Sequence, residues 1–213
     1  MSIFGMGFNH LYKRIYGVNM AHYFENDESV KSEEKKISAI INGTMLTFWT
    51  DNNVFSKNGL DFGTRTLLEC IDVMEINGKI LDFGCGYGPI GIYLAKHNLD
   101  VDMIDINVRA LELSRKNAML NKVKVNIYES DIYQNVNSKY NFIITNPPIR
   151  VGKEILYKIL FEARNYLHAD GHLILVVHKD QGAKSLAKDL ATNYQVKILQ
   201  KNKGFYVIAC QNH

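Results

Sequence analysis

Between Leu81 and Gly91 the chain reads LDFGCGYGPIG: an apolar run carrying Asp82, then Gly84, Gly86, Gly88 and Gly91 in quick succession. Glycines this dense let the backbone turn sharply and let a ligand reach the main chain with no Cβ in between. A strand, such a loop and then a helix N-terminus form a common grip for a nucleotide-like ligand. Folds that bind dinucleotides and folds that bind a methyl donor both use it. The choice between them rests on the rest of the chain.

The remaining sequence supplies the expected frame. Lys36 to Ile41 and Thr44 to Thr50 are short apolar runs joined by Asn42-Gly43, a hairpin signal because both turn positions need positive φ. The polar stretch DNNVFSKNGLDFG follows, with Thr64 expected to cap a helix through Leu67, Leu68 and Ile71. Strands are predicted at Lys79–Phe83, Val101–Asp105, Lys124–Tyr128, Tyr140–Thr145 and His172–Val177. Helices are predicted at Pro89–His97, from Asn107 as N-cap to Leu120, at Lys153–Leu167 and at Gln181–Asn193. Asp170-Gly171 is read as a turn, and the runs Gln195–Gln200 and Phe205–Cys210 as a closing antiparallel hairpin. Alternating strands and helices mean βαβ units and a mostly parallel sheet. The predicted architecture is a small N-terminal hairpin followed by one three-layer α/β domain.

Composition sets outer limits. A chain of 213 residues holds one sizeable domain, and 46% hydrophobic with 22% charged residues is ordinary for a globular protein. A formal charge of +3 permits a nucleic-acid partner without demanding one. Cys70, Cys85 and Cys210 are widely separated, with no metal-ligand spacing, which points to a reducing, cytoplasmic setting. No apolar run reaches the ~20 residues needed to span a bilayer, so no membrane partner is expected. Residues 1–19 place Phe4, Phe8, Leu11, Tyr12 and Ile15 at helical spacing. They read either as a non-native leader or as a docking helix, and Met20 offers a second start.

Ligands of open parallel sheets sit beyond the carboxyl ends of the strands. The polar residues expected there are Asp82, Asp105, Asp131 and Asn146. Asp105, 23 positions after Asp82, suits the ribose hydroxyls of NAD and of S-adenosylmethionine equally, or could cap a helix. Asp131 could accept an adenine amino group, or likewise serve as a cap.

Asn146-Pro147-Pro148-Ile149 separates the cofactors. Two prolines after a buried strand remove two N–H donors and stiffen the turn. The Asn146 side-chain oxygen and the Pro147 carbonyl then become fixed acceptors for an exocyclic amino group. That nitrogen turns positive as it attacks a methyl group, and hydrogen bonds to charged groups are worth ~1.5–3 kcal/mol against ~1 for neutral ones, so such a clamp favours the transition state. The chemistry needs no nucleophilic side chain and no metal.

Asp82 with Gly84-Cys85-Gly86-Tyr87-Gly88, then Asp105, Asp131 and Asn146-Pro147-Pro148, resembles the motif series of class I S-adenosylmethionine-dependent methyltransferases. Asn-Pro-Pro is similar to the motif of enzymes that methylate amino nitrogens. From Met20 onward the chain resembles the single-domain relatives of bacterial small-subunit ribosomal RNA guanine-N2 methyltransferases, in MAHYF, VFSKNGLDFGTR, LDFGCGYGPIG, TNPPIR, KDQGAKS and KNKGFYVI. The resemblance implies a Rossmann-like seven-stranded sheet with an antiparallel C-terminal hairpin. It divides the chain into a leader (1–19), a hairpin extension and loop (20–60) and a methyltransferase domain (61–213). Asp82, Gly84, Cys85 and Gly86 would hold the methionine end of S-adenosylmethionine, Asp105 and Ile106 its ribose, and Asp131 and Ile132 its adenine. Asn146 and Pro147 would hold the target amino group, also beside the donor, with S-adenosylhomocysteine as product.

One departure concerns Ile149, where many amino-methyltransferases carry an aromatic residue. Stacking would then come from Phe55, Phe62 or Phe205, or be replaced by aliphatic contact, with Pro148 and Ile149 lining the acceptor site. Phe55 to Gly63 would form a lid-like loop. Lys179, Lys201 and Lys203 could meet RNA phosphate, whereas His22, His172 and His178 read as structural. The expected partner is ribosomal RNA or the small ribosomal subunit, and the expected state a monomer or weak homodimer. The same clamp would also serve a protein glutamine or adenine N6. An NAD-dependent oxidoreductase or a plain nucleotide-binding module is disfavoured by the Asn-Pro-Pro turn and by the lack of an evident hydride-relay pair.

Overall fold

A computed structural model describes residues 33–51, 59–71 and 76–212. The predicted leader, His22 and Phe55 lie outside the described residues. The hairpin pairs β1 (Lys35–Ile41) with β2 (Thr44–Thr50), and its turn has Asn42 at φ 44° and Gly43 at φ 81°, as the Asn-Gly pair requires.

The main sheet holds β3 (Lys79–Phe83), β4 (Asp100–Asp105), β5 (Asn126–Glu129), β6 (Tyr140–Thr145), β7 (Leu167–His178), β8 (Gln195–Asn202) and β9 (Phe205–Gln211). Its spatial order is β5-β4-β3-β6-β7-β9-β8, parallel from β5 to β7 and antiparallel in the closing hairpin. The chain leaves β3 in one direction and returns at β6 on its other side, which makes the gap between these two strands the topological switch point.

Helices α1 (Phe62–Ile71), α2 (Pro89–Lys96) and α3 (Val108–Leu120) cover one face; α4 (Lys153–Glu162) and α5 (Ala183–Leu190) cover the other. Successive strand side chains point to opposite faces. Thus Phe142 and Ile144 of β6 pack under α1 to α3, while Ile143 packs under α4 and α5. Burial on both faces explains why the central strands read as unbroken apolar runs.

Three local expectations are corrected. Asp61, rather than Thr64, caps α1: its Oδ2 accepts the Thr64 N–H at 2.8 Å, so the end of the supposed lid loop is the first turn of a helix. Asp170-Gly171 lies within β7 and not in a turn between elements, at a bulge where the register steps from Tyr140–Leu167 to Phe142–His172. A Cβ on Gly171 would lie 3.0 Å from the Tyr140 carbonyl oxygen, so this glycine permits close backbone approach at the irregular β6–β7 pairing. The helix from Lys153 ends at Glu162 and continues as a 3-10 turn.

The hairpin is fastened to α3 by two carboxamides. Asn117 accepts the Trp49 N–H (2.7 Å) and donates to the Trp49 carbonyl (2.9 Å); Asn121 does the same for Thr47 (3.1 and 2.7 Å). Four residues of helix rise about 6.0 Å and two of strand about 6.8 Å, so side chains at i and i+4 match alternate residues of β2. Asn117 Nδ2 also donates to the Tyr87 carbonyl at 2.9 Å, joining the hairpin to the glycine loop. Asn117→Ala strips three hydrogen bonds from a fully buried site and should lower stability by about 3 kcal/mol, read from urea unfolding.

Candidate active site

The glycine loop leaves β3 at the switch point and enters α2 through Pro89. Gly84 and Gly86 stand at φ 68° and 57°, and a Cβ on either would meet nothing within 4 Å. Gly88 and Gly91 have the opposite need: a Cβ there would press on Met103 and, at Gly91, on Asp82. The first pair opens space above the loop. The second lets the helix sit close on the sheet.

Asp82 is fully buried. Its Oδ2 accepts the Gly91 N–H at 2.8 Å, while Oδ1 is buried without a hydrogen-bond partner among the described residues. Burial lifts its carboxyl to about 7, against the Gly91 N–H, and nearby Asp105 adds to the rise.

Cys85 turns into the core, with Sγ 3.6 Å from Ser114 Oγ and its thiol pushed well up by burial, so a ligand could touch only its backbone. Asp105 ends β4 and holds Gly86 N–H (2.9 Å) on one oxygen and Asn107 N–H (2.9 Å) on the other. Burial raises its carboxyl, opposed by the N–H groups of Asn107, Gly86 and Ile106. Asp105 therefore combines the turn-holding role with a direct grip on the loop. Each oxygen has a further lone pair.

Asp131 follows β5 on the adjacent strand end, half-buried and raised by burial, with Lys158 opposing. Ile132 has φ 50°, an outlier for a β-branched residue of the kind that concentrates at ligand clamps. Asp131 and Ile132 border a cavity of about 120 Å³ with Tyr133, Lys158 and Tyr166.

Across the switch point, Asn146 follows β6. Its Nδ2 donates to Asp61 Oδ2 and to Thr64 Oγ1, each at 3.0 Å. The Pro148 carbonyl accepts from Val151 N–H at 3.2 Å, which leaves the Pro147 carbonyl as the turn's candidate acceptor. The Phe62 and Phe205 ring centroids lie 5.7 Å apart, those of His178 and Phe205 4.8 Å apart in an edge-to-face arrangement, and Lys203 Nζ lies 5.1 Å from the Phe62 ring centroid. A Cβ on Gly63 would lie 2.8 Å from Phe205 Cε1 and 3.0 Å from Asp61 Oδ2, which sets the Phe205 ring near the carboxylate that holds Asn146. Ile149 borders a separate cavity of about 200 Å³ with Lys153, Tyr157 and Ser185.

This arrangement has known counterparts. The family described as methyltransferase small domain matches residues 45–209, from the hairpin to the last strand. The chain belongs to that family.

Methyltransferase small domain proteins of this kind are class I S-adenosylmethionine-dependent methyltransferases. The uncharacterized protein YbxB of Bacillus subtilis is 44% identical over 193 residues, 88% of this chain and 96% of that one. Ribosomal RNA small subunit methyltransferase C of Vibrio vulnificus is 38% identical over 144 residues, 65% of this chain and 42% of that protein. The chain spans about half the length of the methyltransferase C relatives it matches. In structure it is similar to the T. thermophilus 16S rRNA N2 G1207 methyltransferase in complex with AdoMet and guanosine, with a TM-score of 0.77 at 22% identity, covering 89% of this chain and 53% of that one. The seven-stranded sheet with its antiparallel closing hairpin is the expected Rossmann-like methyltransferase fold.

Sequence reasoning does not bring Asp61 and Thr64 into the site. Asp61 was legible as a good N-cap for a following apolar helix, but nothing local links it to Asn146, 85 positions away.

Proposed function

We propose that this methyltransferase small domain protein transfers a methyl group to the exocyclic N2 amino group of a guanine in small-subunit ribosomal RNA. One observation carries the reading: the Asn146 amide nitrogen is committed to Asp61 and Thr64, so its oxygen is the end left to accept from an amino group. The acceptor class draws support from the methyltransferase C relatives and from the T. thermophilus protein, whose guanosine complex names such a target.

The loop fits the donor. The open space over Gly84 and Gly86 can take its methionine end against bare backbone, and the unpartnered, buried Asp82 oxygen would face the donor's ammonium once the carboxyl has given up its proton. Asp105 with Ile106 would hold the ribose, and Asp131 with Ile132 the adenine. Bound S-adenosylmethionine supplies an electrophilic methyl group on a sulfonium centre. Asn146 Oδ1 and the Pro147 carbonyl hold the two N–H groups of the acceptor and aim its lone pair. With the donor bound, the nitrogen so held would take the methyl group as its bond to sulfur breaks, the electron pair staying on sulfur, and would then shed a proton to water. A target guanine must leave its stack to reach this depth. Phe205 and Phe62 would supply the stacking face that Ile149 lacks, with Pro148 beside them, while Ile149 itself borders the cavity of Lys153 and Tyr157. No helix among the described residues is long and apolar enough to cross a membrane.

Calorimetry should show binding of S-adenosylmethionine and S-adenosylhomocysteine and no binding of NAD. Labelled methyl donor offered to naked ribosomal RNA, assembled small subunits and glutamine-bearing release factors should mark RNA, with N2-methylguanosine recovered on digestion. Label in protein, or in N6-methyladenosine, would replace the guanine reading.

A further inference from the structure

We infer that Asp61 is the positioning residue of the acceptor clamp: it fixes which end of the Asn146 carboxamide faces the substrate, and so makes the site select an amino group over a carbonyl. This rests on the reading of Asn146 as the group that receives the target nitrogen. A carboxamide turned by half a revolution has nearly the same shape but offers N–H in place of oxygen. With the flipped amide, Asn146 would have to accept amino N–H bonds through its own NH2 group, which cannot accept.

The surroundings of Asn146 decide the matter. A carboxylate has no proton to give, so Asp61 Oδ2, 3.0 Å from the amide, tolerates nitrogen there and repels oxygen. Thr64 Oγ1 takes the second amide hydrogen at the same distance, so both N–H bonds are used. The outward end is then acceptor only. It suits an amino nitrogen and meets a carbonyl oxygen lone pair to lone pair, the kind of mismatch that gives strong discrimination between near-isosteric groups.

Asp61 is itself immobilised by its second task. The same Oδ2 accepts the Thr64 N–H at 2.8 Å, capping α1, and Thr64 is almost fully buried. One helix N-terminus thus supplies both groups that orient a side chain from another strand. The orientation exists before substrate arrives, and no binding energy goes into choosing the rotamer.

The two tasks of Asp61 can be separated because serine and asparagine both cap helices about as well as aspartate. Asp61→Asn keeps an oxygen at the reach needed for Asn146; Asp61→Ser caps but is too short to touch it. Donor affinity by calorimetry and thermal melting should be close to wild type in both. Single-turnover methyl transfer should fall about 10- to 100-fold in Asp61→Ser, in rate and not in RNA affinity, and by less than about threefold in Asp61→Asn. Thr64→Val, which keeps shape and removes one acceptor, should lose about tenfold. RNA carrying xanthosine at the methylated position, with a carbonyl where guanosine has its amino group, should compete poorly with guanosine RNA in wild type and markedly better in Asp61→Ser. Equal rates in Asp61→Ser and Asp61→Asn, with unchanged xanthosine discrimination, would reduce Asp61 to a helix cap. If Asp61→Ser fails to fold, Asp61→Gly, which also keeps a tolerated N-cap residue and removes the carboxylate, takes its place, and a wild-type rate and discrimination there overturns the inference. Should Asn146→Ala transfer methyl groups normally, the acceptor reading itself falls and takes this one with it.

Discussion

Asn146→Ala should lower the rate of methyl transfer by about 10²- to 10³-fold while leaving the affinity for S-adenosylmethionine within about threefold. The size follows from what is lost. One hydrogen bond to a nitrogen that becomes cationic is worth ~1.5–3 kcal/mol, which accounts for about one to two factors of ten. Loss of aim against the sulfonium methyl supplies the remainder, since small misplacements of reacting groups are costly. Donor binding is spared because the glycine loop, Asp105 and Asp131 lie on the other side of the switch point. Single-turnover kinetics beside calorimetry checks both halves. A large fall in donor affinity with an unchanged rate would move Asn146 from the acceptor to the donor.

The second large effect concerns pH. The Asp82 carboxyl titrates near 7 in the folded protein, against 3.8 as its ordinary value, because it is fully buried. A raised carboxyl means that the folded chain holds a proton which the unfolded chain has released. Stability from this source is therefore complete below pH 3.8 and is lost as pH climbs to about 7. The whole change is roughly 4 kcal/mol.

Other carboxylates titrate across the same range, so the test is a difference. Urea unfolding of the wild type and of Asp82→Asn from pH 4 to pH 8 should give stability curves that diverge by up to that amount, the variant gaining relative to the wild type as pH rises. The proposed contact with the donor's ammonium runs the other way. Donor affinity of the ligand-free wild type should rise with pH up to about 7 and lose that dependence in Asp82→Asn. Parallel stability curves would show that Asp82 is not buried as a proton-binding group.

Much of this was legible in the chain because the deciding forces were local. Asn42-Gly43 demanded its turn, Asn107 caps α3 by accepting the Ala110 N–H, and unbroken apolar runs betrayed a sheet covered on both faces. What escaped was set by tertiary neighbours. Asp170-Gly171 looks like a turn until the β6 backbone is laid beside it. Cys85 sits among the donor-loop residues, yet the loop's curl points its sulfur at Ser114. Asn117 and Asn121 read as ordinary polar positions of a helix, and the strand they fasten lies about seventy residues earlier. The Asp61–Asn146 pair is the clearest case, since each residue has a sufficient local explanation and the site depends on their meeting.

The carboxamide ladder between α3 and β2 has a further consequence. A two-stranded hairpin carries free N–H and C=O groups along both outer edges, and this one also exposes Ile40 and Met45 near its tip. Such an edge is a template on which a second copy could add a strand. Asn117 and Asn121 occupy it at Trp49 and Thr47, and Arg65 covers the Ile40 carbonyl on the opposite edge at 2.9 Å. The helix that braces the donor loop is thus also a guard against aggregation, and variants that loosen one function should surrender solubility along with the other.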